Sequence, residues 1–413
     1  MRILMMTNTY LPVVGGLENS IESLTGQLRS LGHEVLIAVP QWGDSKSAGN
    51  DFTAAVPLPG QILKLVRSFR PDVIHAHHPF LMGEAAVRVS VQSSKPLVYT
   101  HHIRFDQYGH YLPLPTSPAA VFLTELAVGF ANLASRVIAP SESIRDILIQ
   151  EGVKTPVDVA PSGVAVHRFG KGNRKKWRKR LGIPEKAVVL GYAGRLAKEK
   201  NLEFLTNAIL NFIRKKDAYF VVAGSGPMEE FLRKTFEEAH LGDRLHLAGV
   251  LRGADLSDCY QAMDVFAFAS KSETQGLVLC EAMAAGLPVV AIDSPGVREV
   301  VKDCENGRLL AEEDSEAFSE ALGWCVDLAP DNRRKIKRNA KKTAGLFSVE
   351  HCALRTLEVY ERACFCGAVL QEDLEKSKWH KAAQRLKTEW QLFLNLGHAT
   401  GCALREEIKS HAG

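Results

Sequence analysis

The sequence of 413 residues lacks any long uncharged apolar run, and none approaches the ~20 residues that would span a bilayer. It also lacks a C-x-x-C pair, although it contains eight cysteines. Cys364 and Cys366 have the wrong spacing for a zinc knuckle. No secretory signal is recognised at the N-terminus, so reduced thiols and a cytoplasmic location are expected. The net charge of +4 is too small a basic excess for a nucleic-acid-binding chain.

Short apolar runs alternate with helical patterns along most of the chain. This alternation is typical of parallel sheets covered by helices, and therefore of an α/β fold. It breaks at a basic segment, KGNRKKWRKR (residues 171–180), and then restarts. We therefore predict one doubly wound domain over 1–165, a second over 166–345, and a helical extension over 346–413. Because ligands bind at the carboxyl ends of parallel strands, two such domains are expected to face a shared cleft.

The stretch SETQGLVLCEAMAAGLPVVA carries two carboxylates, Glu273 and Glu281, eight residues apart. A glycine loop leads into a helix predicted to start near Gly276, and backbone amides at a helix start suit a diphosphate. The carboxylates cannot bind phosphate but suit the hydroxyls of a sugar and of a ribose. In GYAGRLAKEKN, Arg195 and Lys200 follow a strand, where a phosphate would bind.

A third glycine loop follows another apolar run, in VVAGSGP. It contains Gly224 and Gly226 but lacks the third glycine of a dinucleotide-binding fingerprint. A dinucleotide cofactor is therefore not expected.

Histidines are concentrated in VYTHHIRFDQYGHYLPLP and, just before it, in DVIHAHHPF. His102, Asp106 and His110 follow one another at four-residue intervals, and on a helix they would share one face. Two imidazoles and a carboxylate are a plausible set of metal ligands, but the same residues also suit one wall of a catalytic cleft. The histidines of the second run are equally compatible with a polar strand end that has no catalytic task.

In their order, GRLAKEKN, VAGSGP and SETQGLVLCEAMAAGLPVVA resemble the donor half of the retaining nucleotide-sugar glycosyltransferases of the GT-B fold, the glycosyl transferases group 1. TYLPVVGGLENSIESLTGQLRSLGHEV and RVIAPSESIRDIL are similar to segments of the first domain in that family. The resemblance implies two Rossmann-like domains facing a central cleft, with 1–165 on the acceptor side and 166–345 binding the nucleotide sugar. A C-terminal helix within 346–413 would return toward the first domain and continue into a helical tail.

The resemblance also implies roles for individual residues. Arg195 and Lys200 would bind the donor diphosphate, Glu281 the ribose and Glu273 the transferred sugar. His102 would bond to the sugar and support the charge that develops at the anomeric carbon, which makes His102, Glu273, Arg195 and Lys200 the catalytic set. The remaining donor-binding positions are Gly15, Gly16, Gly194, Gly224, Thr274, Gln275, Gly276 and Leu277.

Members of this family work without a bound metal or cofactor, by front-face attack in which the leaving phosphate helps to deprotonate the acceptor. No metal is therefore expected, and the nucleotide sugar is a substrate. A UDP-sugar is preferred over a GDP-sugar, although no residue distinguishes the two bases. The sequence departs from the family at ETQG, where Thr274 and Gln275 are expected to narrow the sugar pocket.

The phrase THHIRFDQYGHYLPLP is similar to the T-Y-H-T-x-Y-E-x-Y-x-H-Y segment of bacterial diacylglycerol glucosyltransferases. Asp106 takes the place of the acid, while Tyr108, His110 and Tyr111 match directly. The segment departs from the pattern at His101, Ile103, Arg104 and Phe105. This similarity implies a lipid acceptor resembling diacylglycerol, with Asp106, Tyr108 and His110 at the acceptor side. The four-residue spacing predicts a helix face turned toward the mouth of the cleft.

Three segments fit contact with an anionic membrane: the apolar run 119–134, the basic run 171–180, and an amphipathic stripe in the tail that includes Trp379 and Trp390. Each also fits packing on the protein body. The protein is expected to be cytoplasmic and peripheral on the inner face of the membrane. The alternatives are the same chemistry on a polysaccharide, polyprenyl-linked or soluble alcohol acceptor, a GT-B-like nucleotide-sugar epimerase, and a sugar-nucleotide sensor without catalysis.

Overall fold

A computed structural model describes residues 1–10, 15–40, 53–56, 60–109, 116–372, 387–389, 391–396, 398–400 and 402–403. The chain forms two compact units. Unit 1 comprises Met1–Pro161 and Cys352–Gly413, and unit 2 comprises Ser162–His351. Unit 2 is therefore inserted into the sequence of unit 1.

Unit 1 contains one parallel sheet of seven strands in the order β3-β2-β1-β4-β5-β6-β7. The strands are β1 (Arg2–Met6), β2 (Glu34–Pro40), β3 (Thr53–Val56), β4 (Val73–Ala76), β5 (Leu97–Thr100), β6 (Arg136–Ala139) and β7 (Val157–Val159). The helices between them are α1 (Gly16–Ser30), α2 (Gly60–Phe69), α3 (Met82–Ser93), α4 (Thr116–Ala131) and α5 (Glu142–Gln150). The order reverses direction between β1 and β4, which makes their carboxyl ends the expected ligand position in this sheet.

The central strands of unit 1 are apolar on both sides because each face of the sheet is covered. Along β1, Leu4 and Met6 join one core and Ile3 and Met5 join the core on the opposite face. This follows from the alternation of side chains along a strand. The sequence of β1 therefore reads as a continuous apolar run, as predicted for a parallel sheet.

Unit 2 contains a second parallel sheet, with six strands in the order β10-β9-β8-β11-β12-β13. Its strands are β8 (Val188–Ala193), β9 (Ala218–Ala223), β10 (Leu245–Gly249), β11 (Val265–Phe268), β12 (Val289–Ile292) and β13 (Gly307–Leu310). Its helices are α6 (Val166–Phe169), α7 (Arg174–Arg180), α8 (Leu202–Ile213), α9 (Glu229–Glu238), α10 (Gly253–Ala262), α11 (Leu277–Ala284), α12 (Ser315–Val326) and α13 (Pro330–Leu346). This strand order is that of a Rossmann sheet, with the reversal between β8 and β11. The predicted α/β class with two doubly wound units is confirmed.

The chain enters and leaves unit 2 at the same place. Val164 forms an isolated parallel bridge with Ser348. The amide of Val164 donates to Phe347 O at 2.8 Å, and the amide of Val349 donates to Val164 O at 3.2 Å. The last long helix, α14 (Val349–Glu372), starts at this bridge, and its residues from Cys352 onward belong to unit 1. There Val359, Tyr360 and Ala363 join the core beneath β1.

The basic segment 171–180 contains α7, which is tied to the rest of unit 2 by buried side chains and ion pairs. Its Trp177 and Arg178 are buried. Arg174 and Arg178 both pair with Asp264, at 2.7 and 2.8 Å. Further pairs tie this helix to the unit: Lys175–Glu185, Lys176–Asp258 and Arg180–Asp255. Five of the seven basic residues of this segment have acidic partners within unit 2, and the membrane role considered for the segment stays a prediction.

The apolar run 119–134 falls largely within α4, which is partly covered by the C-terminal tail segment, the described residues between 387 and 403. A Cβ on Gly129 would come within 2.7 Å of Asn395 Cγ, so helix and tail approach closely there. Within the tail segment, Phe393, Leu394 and Leu396 are exposed. Trp379 and Trp390 of the predicted stripe lie outside the described residues. In the part of the chain that the structure describes, no helix is both long and apolar enough to cross a membrane.

Candidate active site

The predicted donor residues of unit 2 follow the strands that flank the reversal point of its sheet. Arg195 and Lys200 come after β8, and Glu273 comes after the adjacent strand β11. Because the carboxyl ends of parallel strands share one edge of the sheet, these loops are neighbours. The predictions that the first two residues follow a strand and that a helix starts near Gly276 are both confirmed.

Lys200 and Glu273 form an ion pair at this edge. Lys200 Nζ lies 2.7 Å from Glu273 Oε1, and the side chains are only 15% and 18% exposed. The hydroxyl of Ser270 donates to the same carboxylate oxygen at 2.8 Å. Burial alone would raise the pKa of Glu273, but the charge and hydrogen bond of Lys200 and the Ser270 hydroxyl lower it below its ordinary value. Glu273 is therefore an ionised hydrogen-bond acceptor.

Arg195 presents its guanidinium at the same edge, with its side chain half exposed. It donates to Glu199, one turn further along the chain. Its backbone is fixed independently, because the buried Tyr192 hydroxyl donates to Arg195 O at 3.2 Å. The guanidinium is thus a half-exposed cation on a fixed backbone at this edge.

The loops after β8 and β9 pack backbone against backbone, and glycine makes this contact possible. The amide of Gly194 donates to Ala223 O at 2.9 Å. Gly224 has φ +146, and a Cβ there would lie 1.9 Å from Gly194 O. A residue with a side chain fits neither that backbone conformation nor that space. The glycine loop predicted from VVAGSGP therefore shapes the Arg195 loop through direct contact.

Glu281 lies on α11 and faces a buried tyrosine. The hydroxyl of Tyr260 donates to Glu281 Oε2 at 2.7 Å. Burial raises the pKa of Glu281 to about 7, against the opposing effects of the Tyr260 hydrogen bond and the Arg168 charge. Protonated and ionised forms are therefore both populated near neutral pH, in contrast to Glu273.

The turn that joins Glu273 to α11 contains Thr274, Gln275 and Gly276. Gln275 is buried and bonds both ways to one backbone position: its Nε2 donates to Ser162 O at 2.8 Å, and its Oε1 accepts from Ser162 N at 2.6 Å. Its amide is thus engaged with the start of unit 2. That Thr274 and Gln275 narrow a sugar pocket stays a prediction.

The start of α11 lies directly after this turn. Gly276 takes the left-handed conformation, φ +71, as the residue before the helix, and Leu277 is the first helical residue. The first amides of a helix have no partner within it and carry the positive end of its dipole. The carboxylates predicted to bind a donor and the amides at the start of α11 thus belong to unit 2, at one edge of its sheet, whereas Gly15 and Gly16 belong to unit 1.

The histidine-rich segments of unit 1 meet at the reversal point of the other sheet. His75 lies in β4, between the Tyr360 hydroxyl on its Nδ1 and the Thr100 hydroxyl on its Nε2, each at 2.7 Å. His78 Nδ1 accepts from the amide of Asn8 at 3.2 Å, which fixes its proton on Nε2. Both residues are thus held as polar groups at strand ends, which agrees with the non-catalytic interpretation of this run.

His102, the predicted catalytic histidine, follows β5 and contacts a histidine that follows β4. His77 Nδ1 and His102 Nε2 lie 3.0 Å apart, and the rings are stacked. Burial lowers the pKa of both imidazoles well below the ordinary value, and the nearby histidines lower it further. Both rings are therefore neutral at physiological pH, and one nitrogen–hydrogen of the pair donates to the other ring.

Asp106 and Tyr108 do not share a helix face with His102. Residues 101–108, which follow β5, are irregular except for one 3-10 turn, Phe105–Gln107. Arg104 binds both carboxylate oxygens of Asp106, at 2.8 and 2.5 Å. Burial would raise the pKa of Asp106, but the hydrogen bonds from Arg104 and Gln107 lower it. The helix prediction is therefore wrong, and His110 lies outside the described residues.

Gly15 and Gly16 lie at the start of α1, as predicted. A Cβ on Gly15 would lie 2.4 Å from the Glu18 carboxylate, so the glycine makes room for this acid. Glu18 is buried and accepts from the Thr9 hydroxyl at 2.5 Å. A phosphate at this helix start would meet a carboxylate, a feature that the sequence pattern did not reveal.

The histidine cluster is not a metal centre in the described residues. The one described set of histidine, cysteine and acidic side chains close enough to share an ion is Glu125, His398 and Cys402, elsewhere in unit 1. Sequence reasoning also missed the partners Tyr260, Ser270 and His77. A tyrosine within a helix or a histidine at a strand end carries no local signal of the distant residue it will contact.

Comparison with known proteins gives two family matches along the chain. The family Glycosyl transferases group 1 matches residues 173–343, and Glycosyltransferase Family 4 matches residues 14–168. An α-monoglucosyldiacylglycerol synthase of Streptococcus pneumoniae is 28% identical over 75% of this chain and 75% of its own. A D-inositol 3-phosphate glycosyltransferase of Saccharomonospora viridis is 30% identical over 73% of this chain and 72% of its own.

Among solved structures, the Anabaena protein Alr3699/HepE is similar in fold. Its complex with UDP superposes with a TM-score of 0.74 at 23% identity, covering 88% of this chain and all of the other. Its complex with UDP-glucose gives a TM-score of 0.73 at 22% identity, covering 87% of this chain and 99% of the other. At this identity the likeness establishes the fold, which is GT-B, and the substrates named are those of the Anabaena protein.

Proposed function

The chain belongs to the group 1 glycosyltransferases, and from that premise we propose that it transfers a hexose from a UDP-sugar to a lipid alcohol resembling diacylglycerol, with retention of configuration at the anomeric carbon. Glycosyl transfer by a GT-B enzyme follows from the family and the fold. The donor, the acceptor, retention, metal independence and a peripheral cytoplasmic location at the membrane are the proposed parts.

The observation that carries the proposal is the Lys200–Glu273 pair at the strand edge of unit 2. An ammonium group has three donors, so Lys200 can keep Glu273 and still bind a phosphate oxygen. Glu273, held ionised, then accepts from hydroxyls of the transferred sugar. Arg195 supplies a second cation, and the start of α11 supplies backbone amides for the diphosphate.

This arrangement provides electrostatic catalysis without a resident metal. As the bond between the sugar and the phosphate breaks, negative charge grows on the leaving oxygen, and Arg195 and Lys200 stabilise it. The leaving phosphate takes the proton of the acceptor hydroxyl, which attacks from the same face of the sugar. Glu281 accepts hydrogen bonds from the hydroxyls of the ribose. No residue of the chain is required as a covalent nucleophile.

His102 acts in unit 1 as a neutral hydrogen-bond partner of the sugar. Its neutrality suits this task, because a cationic imidazole would oppose the positive charge that develops at the anomeric carbon. His77 holds the ring through the 3.0 Å contact. Asp106 and Tyr108 remain the acceptor-side candidates, although the Arg104 pairing makes Asp106 a fixed acceptor rather than a base.

The lipid acceptor is supported by the similarity to the α-monoglucosyldiacylglycerol synthase of Streptococcus pneumoniae. A soluble alcohol acceptor is the second candidate, and the similarity to a D-inositol 3-phosphate glycosyltransferase favours it specifically. The donor is proposed as a UDP-sugar because the related fold of the Anabaena protein binds UDP and UDP-glucose.

A donor screen tests the proposal. The purified chain is incubated with UDP- and GDP-sugars and either diacylglycerol vesicles or inositol phosphates, and products are identified by mass and by anomeric configuration. Glu273→Gln should abolish transfer, while Glu316→Gln, a control at an exposed glutamate, should not change it. Product from the inositol arm alone would refute the lipid acceptor. Conversion of a nucleotide sugar without any acceptor would indicate the epimerase, and full activity of Glu273→Gln would refute the site.

A further inference from the structure

Three side chains with metal-binding atoms converge in unit 1, apart from the residues assigned to donor and acceptor. Glu125 is the one charged residue of α4, and His398 and Cys402 lie four residues apart in the C-terminal tail segment. One potential ligand atom of each lies within 4.8 Å of the other two. Helical residues four apart face the same side, so the tail presents an imidazole and a thiol together toward the carboxylate.

Two of the separations match the edges of a metal tetrahedron. His398 Nε2 lies 3.2 Å from Glu125 Oε2, and Cys402 Sγ lies 3.6 Å from His398 Nε2. Zinc bonds of about 2.1 Å to nitrogen and oxygen and about 2.3 Å to sulfur, at tetrahedral angles, give edges of about 3.4 Å for N–O and about 3.6 Å for S–N. Two of the three edges thus match a tetrahedral site, and the third, between Cys402 Sγ and a Glu125 carboxylate oxygen, is within 4.8 Å.

The ligand types select zinc over the common hard cations. Magnesium and calcium prefer sets made entirely of oxygen, whereas a thiol and an imidazole are typical zinc ligands. The mixed set of sulfur, nitrogen and oxygen therefore excludes a simple acidic calcium site. All three side chains are partly or well exposed, so an ion can reach them from solvent.

The attachment of the tail segment to unit 1 gives such an ion a structural task. The segment buries Ala399 and packs Asn395 against Gly129 of α4, while Phe393 and Leu396 are exposed. An ion pair between Arg88 and Glu389, partly exposed on both sides, also links the segment to the body. Exposed pairs of this kind contribute only about 0–1 kcal/mol. A metal bridge to Glu125 would strengthen this attachment.

We propose that unit 1 binds one zinc ion through Glu125, His398 and Cys402, with water in the fourth position, and that the ion fixes the tail segment on α4. A ligand set assembled from helices far apart in sequence converts metal binding into stability of the contact between them. The inference does not depend on the proposed glycosyl transfer, and it gives the zinc no part in that reaction.

Zinc titration of the full chain tests the site. After chelator treatment, zinc binding is measured against a chromophoric chelator, and cobalt is used as a spectroscopic probe of sulfur ligation. We expect one equivalent to bind. His398→Gln, Cys402→Ser and Glu125→Gln should each weaken binding by more than about 100-fold, since even partners of metal ligands change affinity by about 10- to 100-fold. Cys304→Ser, which removes an exposed thiol of unit 2, is the matched control and should bind as the parent does.

Limited proteolysis tests whether the zinc ion fixes the tail segment on α4. Limited proteolysis within residues 387–403 should slow when zinc is added to the parent chain and should not respond in Cys402→Ser. Binding that is equal in the parent and in all three ligand variants would overturn the site, as would the absence of stoichiometric zinc. Tight zinc binding without any change in proteolysis would overturn the fixing of the tail.

Discussion

The pKa of Glu281 gives the donor site a predicted pH dependence. A carboxylate accepts hydrogen bonds from both ribose hydroxyls, whereas its protonated form loses part of that capacity. Because the pKa is raised to about 7, donor affinity should rise with pH through neutrality and level off above it. Below the midpoint the affinity should fall by at most about tenfold per pH unit, since a single proton is involved. Glu273, whose pKa is lowered, does not contribute in this range.

Tyr260→Phe is the perturbation that isolates this effect. In the parent protein, the Tyr260 hydroxyl donates to Glu281 at 2.7 Å and thereby favours the ionised carboxylate. The substitution removes this hydroxyl and should therefore raise the pKa of Glu281. A hydrogen bond to a charged group is worth about 1.5–3 kcal/mol, which corresponds to about one to two pKa units. With the midpoint moved from about 7 to about 8 or 9, donor affinity at pH 7.5 should fall by roughly 3- to 25-fold. The difference in donor affinity should disappear at high pH, where Glu281 is ionised in both the parent and the variant.

Calorimetric titration with the nucleotide sugar found in the screen is the assay. Its diphosphate is esterified at both ends and does not titrate near neutrality, so the measured midpoint belongs to the protein. Tyr360→Phe, at another buried tyrosine that bonds through its hydroxyl, is the control and should leave the midpoint unchanged. The reasoning fails if parental affinity is flat between pH 6 and 8.5, or if the Tyr260→Phe midpoint does not move.

Two further predictions concern stability. Gly224→Ala should destabilise unit 2 by more than about 3 kcal/mol, because the new Cβ would overlap a backbone oxygen. Gly182→Ala, in open space at φ +69, should cost only about 1–2 kcal/mol. Urea unfolding compares the two variants, and equal losses of stability would contradict the overlap. Arg178→Ala should cost about 3–5 kcal/mol because it leaves a buried cluster of acceptors unpaired, whereas Lys175→Ala, at an exposed pair, should cost less than about 1 kcal/mol. Similar melting temperatures for these two variants would refute the role given to the buried guanidinium.

The sequence determined the placement of the donor residues because each signal is local. An apolar run that ends in a glycine marks the end of β8, and Arg195 and Lys200 follow it directly. The same holds for Glu273 after β11 and for Glu281 within α11, where Gly276 separates the loop from the helix. Parallel strands then bring the two loops to one edge without any further information.

Partners of these residues could not be predicted, because they depend on contacts between distant segments. The hydroxyl of Tyr260, in α10, donates to Glu281, in α11. Gln275 bonds to Ser162, which is 113 positions away in sequence. Arg178 lies in a run of cations that reads as a solvated surface, yet it donates to the carbonyls of Ala262 and Ala187 in the interior. Net charge along a segment does not reveal which of its members will be buried.

The helix predicted through His102, Asp106 and His110 failed for a related reason. A four-residue interval indicates a helix when the repeated residues are apolar and form a buried face. Here the repeat is polar, and what decides the conformation is the bidentate contact of Arg104 with Asp106 and the burial of Phe105. A single 3-10 turn is sufficient for both.

The bridge between Val164 and Ser348 has an evolutionary consequence. The 190 residues of unit 2 start and finish at one point, so a recombination event that replaces this whole segment has to rejoin the chain at only two neighbouring peptide bonds. All the residues proposed to bind the nucleotide and its sugar, except the glycines of α1 and His102, would be inherited together in such an exchange. The preference for a donor, which is proposed to depend on unit 2, can therefore diverge among relatives separately from the preference for an acceptor, which is proposed to depend on unit 1.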